Sequence, residues 1–215
     1  GKVVYNEIEI PRGGEFDLVL ADGTQVWLNA ESRLRYPVEF SGKERKVVLE
    51  GEAYFQVKKN PSLPFRVEIR NQVIEVLGTE FNVSGYKDEV HVYTTLVNGK
   101  VKVATTGRDM TLLPGEQCVL DTGDGSMIRQ QVDVDKIISW KKGKFILEEQ
   151  TLEQIMQKLA RWYDITVFYQ NPALKNKVFK GSVPRYAELQ QVLNILEKTG
   201  EVQFHIQNRT VIVKE

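Results

Sequence analysis

The sequence predicts a mainly β chain with a smaller α+β part. An N-terminal antiparallel β-sandwich or jelly-roll-like domain is expected over residues 1–135, and a small split β-α-β-β-α-β domain over residues 140–215. Three observations carry this reading. Between about residues 15 and 132 apolar side chains recur at every second position, turn residues interrupt that pattern at short intervals, and near residue 140 the period lengthens to that of a helix.

In the first part, the alternation is visible in Val26-Trp27-Leu28, Ala53/Phe55/Val57, Phe65/Val67/Ile69, Phe81/Val83 and Val101/Val103. Strands with one buried face produce this period. They are separated by Asp22-Gly23, Ser41-Gly42, Asn60-Pro61, Asn98-Gly99, Pro114-Gly115 and Gly123-Asp124-Gly125. Asn98-Gly99 is the sharpest hairpin signal, because both residues tolerate positive φ and a type I′ turn matches strand twist. It predicts flanking strands Val90–Leu96 and Lys100–Ala104. No helical window interrupts this stretch.

The second part opens with a strand over Lys144–Glu148. Leu152, Ile155, Met156, Leu159, Trp162 and Tyr163 then form one helical face, and Thr151 with Gln154 fits a capping box. Burying those six side chains at roughly 1.5–3 kcal/mol each contributes on the order of 10 kcal/mol before entropy is subtracted. Packing, rather than propensity, fixes this helix. Strands follow over Ile165–Tyr169 and Val178–Val183. A second helix is expected from about Arg185 to Thr199, with Leu189, Val192, Leu193 and Leu196 inward, Pro184 at its first turn and Gly200 as terminator. Val202–Gln207 and Thr210–Lys214 close the chain as a hairpin turning at Asn208-Arg209.

Composition excludes several function classes. The 215 residues carry 29 Lys+Arg against 29 Asp+Glu, a formal net charge of zero, which speaks against a general nucleic-acid binder. Residues 1–139 hold 17 basic and 21 acidic side chains (net −4), and residues 140–215 hold 12 and 8 (net +4). The longest strictly apolar run, Leu18 to Ala21, has four members, whereas a spanning helix needs about 20. The start at Gly1 reads as a trimmed N-terminus. Cys118 is the one cysteine, so no internal disulfide is expected.

A search for catalytic chemistry returns little. His91 and His205 each sit in a strand pattern away from cysteine or paired carboxylates, and Asp133 and Asp135 lie in the expected linker. No zinc spacing, Walker loop, dinucleotide fingerprint, EF-hand loop or nucleophile elbow occurs, so no metal and no cofactor is expected. Trp162 falls on the helix stripe and Trp27 inside a strand, which leaves Trp140 as the candidate for a contact at the domain seam. Lys141, Lys142 and Lys144 beside it read as a solvated face. Gly78-Thr79 interrupts two strand-like runs, which marks a bulge or tight bend. If the bend strains the Gly78 carbonyl toward the Thr79 hydroxyl, an N-to-O acyl shift followed by hydrolysis cuts the chain there.

Five ordered segments resemble the FecR family: Asp22-Gly23-Thr24-Gln25-Val26-Trp27-Leu28-Asn29-Ala30, Leu49-Glu50-Gly51-Glu52-Ala53-Tyr54-Phe55-Gln56-Val57, Pro64-Phe65, Val76-Leu77-Gly78-Thr79-Glu80-Phe81-Asn82-Val83, and Leu113-Pro114-Gly115-Glu116-Gln117. Trp140 with Gly143-Lys144-Phe145, the helix Leu152–Tyr163, Asn171-Pro172 and Phe179-Lys180-Gly181-Ser182 resemble the small domain appended to FecR proteins. That domain is similar to secretin N-domains and to the signalling domains of TonB-dependent transducers. The resemblance implies the periplasmic sensor region of a membrane-anchored sigma-factor regulator, whose membrane helix and sigma-binding cytoplasmic region lie outside this sequence. It implies two partners, the signalling domain of a TonB-dependent outer-membrane transducer and an extracytoplasmic-function sigma factor. It also places Gly78-Thr79 in the segment where some relatives self-cleave. A sheet edge is the expected receptor. The first candidate is the terminal strand with Thr210, Ile212 and Lys214, and the second is the strand carrying Val178, Lys180 and Ser182. The alternative class is a periplasmic module that binds a glycan or iron chelate directly.

Overall fold

Thirteen strands build the first part of the computed structural model, which describes residues 3–215. In chain order they are β1 (Tyr5–Ile10), β2 (Phe16–Val19), β3 (Gln25–Leu28), β4 (Ser32–Pro37), β5 (Arg45–Gln56), β6 (Phe65–Ile69) and β7 (Gln72–Val76). There follow β8 (Glu80–Gly85), β9 (His91–Asn98), β10 (Val101–Thr105), β11 (Arg108–Leu112), β12 (Glu116–Asp121) and β13 (Met127–Gln131). One unit ends at Ile138 and a second runs from Ser139 to Glu215. With 47% strand and 16% helix, the chain is mainly β with a small α+β part.

Two sheets share one strand. The first has the order β1-β4-β5-β6-β7-β10-β11 and the second β2-β3-β5-β8-β9-β12-β13. At twelve residues, β5 is long enough to serve both. Its first half pairs with β4 and, in parallel, with β6; its second half pairs antiparallel with β3 and β8. Val47, Leu49, Ala53 and Phe55 all point inward from it and are at most 1% exposed. Phe55 stacks on Phe81 at 5.1 Å between ring centroids and leans on Phe65 at 6.0 Å.

Gly51 is the corner at which β5 changes sheets. Its φ of +88° lies in the left-handed region, and a Cβ there would stand 2.4 Å from Ser32 Oγ and 2.8 Å from the Glu31 carbonyl oxygen. Only glycine fits. Because β6 runs parallel to β5, the chain must come back from the far end of β5 before β6 begins, and residues 57–64 make that return.

Two sequence expectations change here. Asn98-Gly99 does not close a hairpin, since β9 pairs with β8 and β12 whereas β10 pairs with β7 and β11. The turn carries the chain from the second sheet to the first, with Gly99 (φ +97°) packed against Thr79. The expected linker also contains α1 (Val134–Ile137), whose N-cap Asp133 accepts the Asp135 amide at 3.1 Å. This cap accounts for the Asp133/Asp135 spacing.

The second unit holds β14 (Lys144–Ile146), β15 (Gln150–Thr151), α2 (Leu152–Tyr163), β16 (Thr166–Tyr169), β17 (Val178–Phe179), β18 (Ser182–Pro184), α3 (Leu189–Glu197), β19 (Gln203–Gln207) and β20 (Thr210–Lys214). The capping box on α2 is complete: Thr151 Oγ1 accepts the Gln154 amide at 3.3 Å and Gln154 Oε1 accepts the Thr151 amide at 3.0 Å. Leu152, Ile155, Met156 and Leu159 bury against Val192, Leu193 and Leu196 of α3 and against Val211 and Val213 of β20 in one core. Trp162 and Tyr163 are half-buried, with their polar tips donating to the Arg185 and Ala187 carbonyls.

Helix α3 is shorter than the apolar pattern suggested. Pro184 is the last residue of β18, paired opposite Lys144, and not the first turn of the helix. The chain stays extended there because the Arg185 amide bonds the Gly143 carbonyl and its side chain is buried at 1% exposure. The expected strand Val178–Val183 is two short pieces, because Gly181 (φ +119°) turns the chain between them. Most important for docking, β20 is not an edge. The sheet order is β16-β20-β19, parallel on one flank and antiparallel on the other, so the backbones of Thr210, Ile212 and Lys214 are already committed.

Alanine at two glycines separates backbone strain from overpacking. Gly107 has φ +85° and open space around a notional Cβ, so Gly107→Ala is expected to cost about 1–2 kcal/mol. Gly51→Ala adds a clash with Ser32 and the Glu31 carbonyl, and is expected to cost a further 1–3 kcal/mol or so. Urea unfolding of both variants measures the difference, and equal losses would remove Gly51 as the corner of the sandwich.

Candidate functional site

The Gly78-Thr79 bond lies between β7 and β8, and everything around it is tied to the 57–64 return. The Val57 amide donates to the Thr79 carbonyl at 2.9 Å, and the Asn60 amide donates to the Leu77 carbonyl at 2.8 Å. A Cβ on Gly78 (φ +155°) would come within 2.6 Å of Lys59 Cα. Thr79 is buried, and its hydroxyl donates to the Lys100 carbonyl at 2.9 Å, which fastens the turn between β9 and β10. Leu77-Gly78 form a bend between the two strands, and beyond it the β8–β9 register slips between Glu80 and Phe81.

The return itself is held by a side chain that the sequence did not single out. Arg45, at 1% exposure, directs Nε to the Leu63 carbonyl (2.9 Å) and Nη1 to both the Lys58 carbonyl (2.8 Å) and Asp22 Oδ2 (2.7 Å). Its guanidinium lies 5.4 Å from the centre of the Phe65 ring. Asp22 meanwhile accepts the Thr24 amide through Oδ1 (3.0 Å) and the Thr24 hydroxyl through Oδ2 (2.7 Å), and Thr24 Oγ1 accepts the Lys58 amide at 3.1 Å. One ion pair, with its guanidinium buried and its carboxylate half-buried, thus joins the β2–β3 turn, the start of β5 and both ends of the return. In sequence, Arg45 sits in the charged run Lys43-Glu44-Arg45-Lys46 and resembles a solvated strand start. Only its parity with Val47 and Leu49, one period inward, betrayed it.

The outer face of the second sheet carries polar groups in register. Glu52 accepts from the side-chain amides of Asn29 (2.8 Å) and Asn82 (3.0 Å), and the Tyr54 hydroxyl donates to Glu80 Oε2 at 2.7 Å. Burial, seconded by Glu80, pushes the Tyr54 phenol well above its ordinary range. Trp27 meets Tyr54 edge to face at 5.6 Å. Cys118 is fully buried, and desolvation pushes its thiol up to about 11, so it stays protonated and unreactive. His91 Nε2 lies 3.5 Å from Asp121 Oδ2 at the surface, and His205 is exposed on β19. Among the described residues, no group of three or more His, Cys, Asp or Glu side chains is arranged to hold a metal.

In the second unit Trp140 follows the unit boundary at Ile138/Ser139, in the 3-10 turn Ile138–Lys142. Within that unit its ring lies 5.7 Å from the Arg185 guanidinium, which also faces Phe145 (5.4 Å) and Trp162 (3.9 Å). Val178, Lys180 and Ser182 all point to solvent, alternating with buried Phe179 and Val183, and Val178 is 55% exposed. β17 pairs only with β15 and β18 only with β14, so each offers one flank unpaired with any described strand. Thr210, Ile212 and Lys214 are half-buried on the central strand, and only their side chains are available.

Residues 6–102 match the family model described as FecR protein, and residues 144–213 match the one described as FecR, C-terminal. The chain belongs to the FecR family. The first FecR match takes in Asp22, Arg45, the return and Gly78-Thr79, and the second takes in Val178, Lys180, Ser182, Thr210 and Ile212. Two crystal structures of a protein from Parabacteroides distasonis ATCC 8503, described as a "putative anti-sigma factor", resemble the whole chain. At 28% identity and a TM-score of 0.90 each, one covers 98% and the other 99% of this chain, and this chain covers 99% of both. No curated protein matches the sequence.

The hydroxyl of Thr79 has a testable structural duty. Thr79→Val keeps the shape of the side chain but leaves the Lys100 carbonyl without its donor, and is expected to lower stability by about 1–3 kcal/mol. Urea unfolding checks this, and a neutral substitution would mean that the hydroxyl holds nothing in place.

Proposed function

We propose that this FecR-family chain is the periplasmic sensor region of a membrane-anchored anti-sigma factor. In this reading it takes a signal from the signalling domain of a TonB-dependent outer-membrane transducer. It passes that signal to an extracytoplasmic-function sigma factor through a cytoplasmic region outside this sequence. One observation carries the reading: both units match FecR models, and the whole chain resembles the Parabacteroides protein described as an anti-sigma factor, at 28% identity. No helix among the described residues is long and apolar enough to cross a membrane, so the anchor in this proposal is supplied from outside them.

The docking surface we assign is the exposed line Val178, Lys180 and Ser182 with the open flanks of β17 and β18. Main-chain groups at such flanks give affinity to an added strand, and alternate side chains give selectivity. Of the two outer strands in the β16-β20-β19 sheet, β19 is less available, because Glu197 Oε1 accepts the Phe204 amide at 2.7 Å on the flank of β19 that faces away from β20. A candidate transducer signalling domain is expected to capture the full chain, and Val178→Asp combined with Lys180→Glu to weaken capture by at least about tenfold, or 1.4 kcal/mol. Capture that survives both substitutions would move the surface elsewhere. Calorimetric heat with a glycan or iron chelate and none with the protein would favour the ligand-binding class instead.

Proteolysis at Gly78-Thr79 is the second part of the proposal. Attack by the Thr79 oxygen on the Gly78 carbonyl carbon would pass the chain from nitrogen to oxygen, and water would then hydrolyse the ester. For that, the hydroxyl must leave the Lys100 carbonyl. Mass spectrometry of the protein from its native host is expected to find two fragments meeting at Thr79, absent in Thr79→Ala. A single intact mass in both proteins would end this part.

A further inference from the structure

We propose that Asp22 and Arg45 form a latch over a cleavage segment, Leu77-Gly78-Thr79, in which Thr79 is concealed, and that the return 57–64 is the strap they hold. The proposal deepens the proteolytic part of the function above and depends on it only for its biological use. The strap is poorly anchored by apolar burial. Val57 at its start is buried, but Lys58, Lys59, Pro61 and Ser62 are exposed and Leu63 and Pro64 only half-buried. Its attachments are polar: Arg45 Nε to the Leu63 carbonyl, Arg45 Nη1 to the Lys58 carbonyl, the Arg45 amide to the Pro64 carbonyl, and the Lys58 amide to Thr24 Oγ1. Three of these run through the Asp22–Thr24–Arg45 cluster by way of side chains. Segments with few buried apolar contacts open locally, below the free energy of global unfolding.

The strap in turn covers the cleavage segment. Val57 and Asn60 donate to the carbonyls on either side of Gly78, and Lys59 Cα presses on Gly78 so closely that a Cβ would not fit. Leu77 is 47% exposed beside this contact, whereas Thr79 is 4% exposed beneath it. Gly78 is half-buried and Thr79 buried, so a protease needs the strap to lift before it can seat both sides of the Gly78-Thr79 peptide, and the strap lifts when Arg45 loses Asp22 or the carbonyls it grips. The two segments therefore leave as one unit.

Hydrogen exchange of the full chain under native conditions tests this without any variant. The Val57, Lys58 and Asn60 amides are expected to exchange as one group, at least about tenfold faster than core amides of β5 and β9. In Asp22→Asn and Arg45→Lys, the same group is expected to speed up together by at least about tenfold, with thermolysin nicking first within 57–64 or 76–80 while the rest of the chain stays intact. Exchange of the group only along with the core, or first cuts scattered through other strands, would overturn the latch. Because no partner or sigma factor enters the measurement, its failure is distinct from failure of the sensor reading.

Discussion

A strand shared by two sheets imposes a debt on the chain that follows it. β5 starts in the first sheet and ends in the second, yet its next neighbour, β6, lies parallel beside its beginning. The polypeptide must travel back over about the length of β5, outside both sheets, and a return of this kind offers backbone groups with no ladder to join. A buried guanidinium resolves that difficulty. Arg45 stands at the first residue of β5, so the side chain that meets the return is placed by the same strand that made the return necessary. The charge is tolerable there because Asp22 lies 2.7 Å away and carbonyl oxygens take two further donors.

Much of this architecture was legible and the decisive part was not. Period two marked β3, β5, β6, β8 and β10, and the six-residue stripe with its Thr151/Gln154 box marked α2 almost to the residue. Local rules succeed where the local pattern and the tertiary environment agree. Asn98-Gly99 shows the opposite case. As a dipeptide it encodes a tight reversal, but whether the two flanking strands then pair depends on the neighbours each has in its own sheet, and β8 and β12 occupy both flanks of β9. Pro184 misled for a similar reason, since its fitness for a helix start is real and yet its segment is drawn into a ladder with β14. Arg45 was hidden because a charged residue at a strand start is usually solvated, and nothing in the sequence reports that a loop eighteen residues later will fold over it. The candidate docking surface was half visible: the alternation of Val178, Lys180 and Ser182 was there to read, whereas the central position of β20 required the register.

The two outer faces of the sandwich are kept apart in character. On the first sheet, charges of opposite sign face one another across strands: Arg33 with Glu9 at 3.1 Å, Lys46 with Glu68 at 2.5 Å, Arg66 with both Glu75 and Glu44, and Lys102 with Asp109 at 2.8 Å. Such exposed pairs add little stability apiece. Their effect is on pairing, because a register slip of one residue would turn these charges into the core and expose the apolar row. On the second sheet the corresponding row is aromatic and amide-rich: Trp27, Tyr54, Asn82, Thr95 and Gln117 lie opposite one another in successive strands. Gln117 donates to Thr95 Oγ1 at 2.7 Å and accepts from Gln130 at 2.8 Å. Hydrogen bonds along the row therefore satisfy side chains that are almost wholly buried.

A relay works if one element yields while its surroundings do not, and stability in the first unit is distributed in that way. Phe55, Phe65 and Phe81 pack ring against ring, and Gln72 crosses the core to Thr94 at 3.0 Å, so the sheets are joined by both apolar and polar contacts. Beyond Val57, the 57–64 segment buries little apolar surface and is held by polar ties instead, most of them through the Arg45 side chain and Thr24. Were the return packed by leucines, its opening would cost as much as opening the core and would carry no separate information. Held by an ion pair and carbonyl hydrogen bonds, it has an opening free energy of its own, set by groups that a neighbouring contact perturbs through geometry alone. The constraint that β5 imposes on the chain thus places, beside Gly78-Thr79, a return whose ties to the fold are mainly polar.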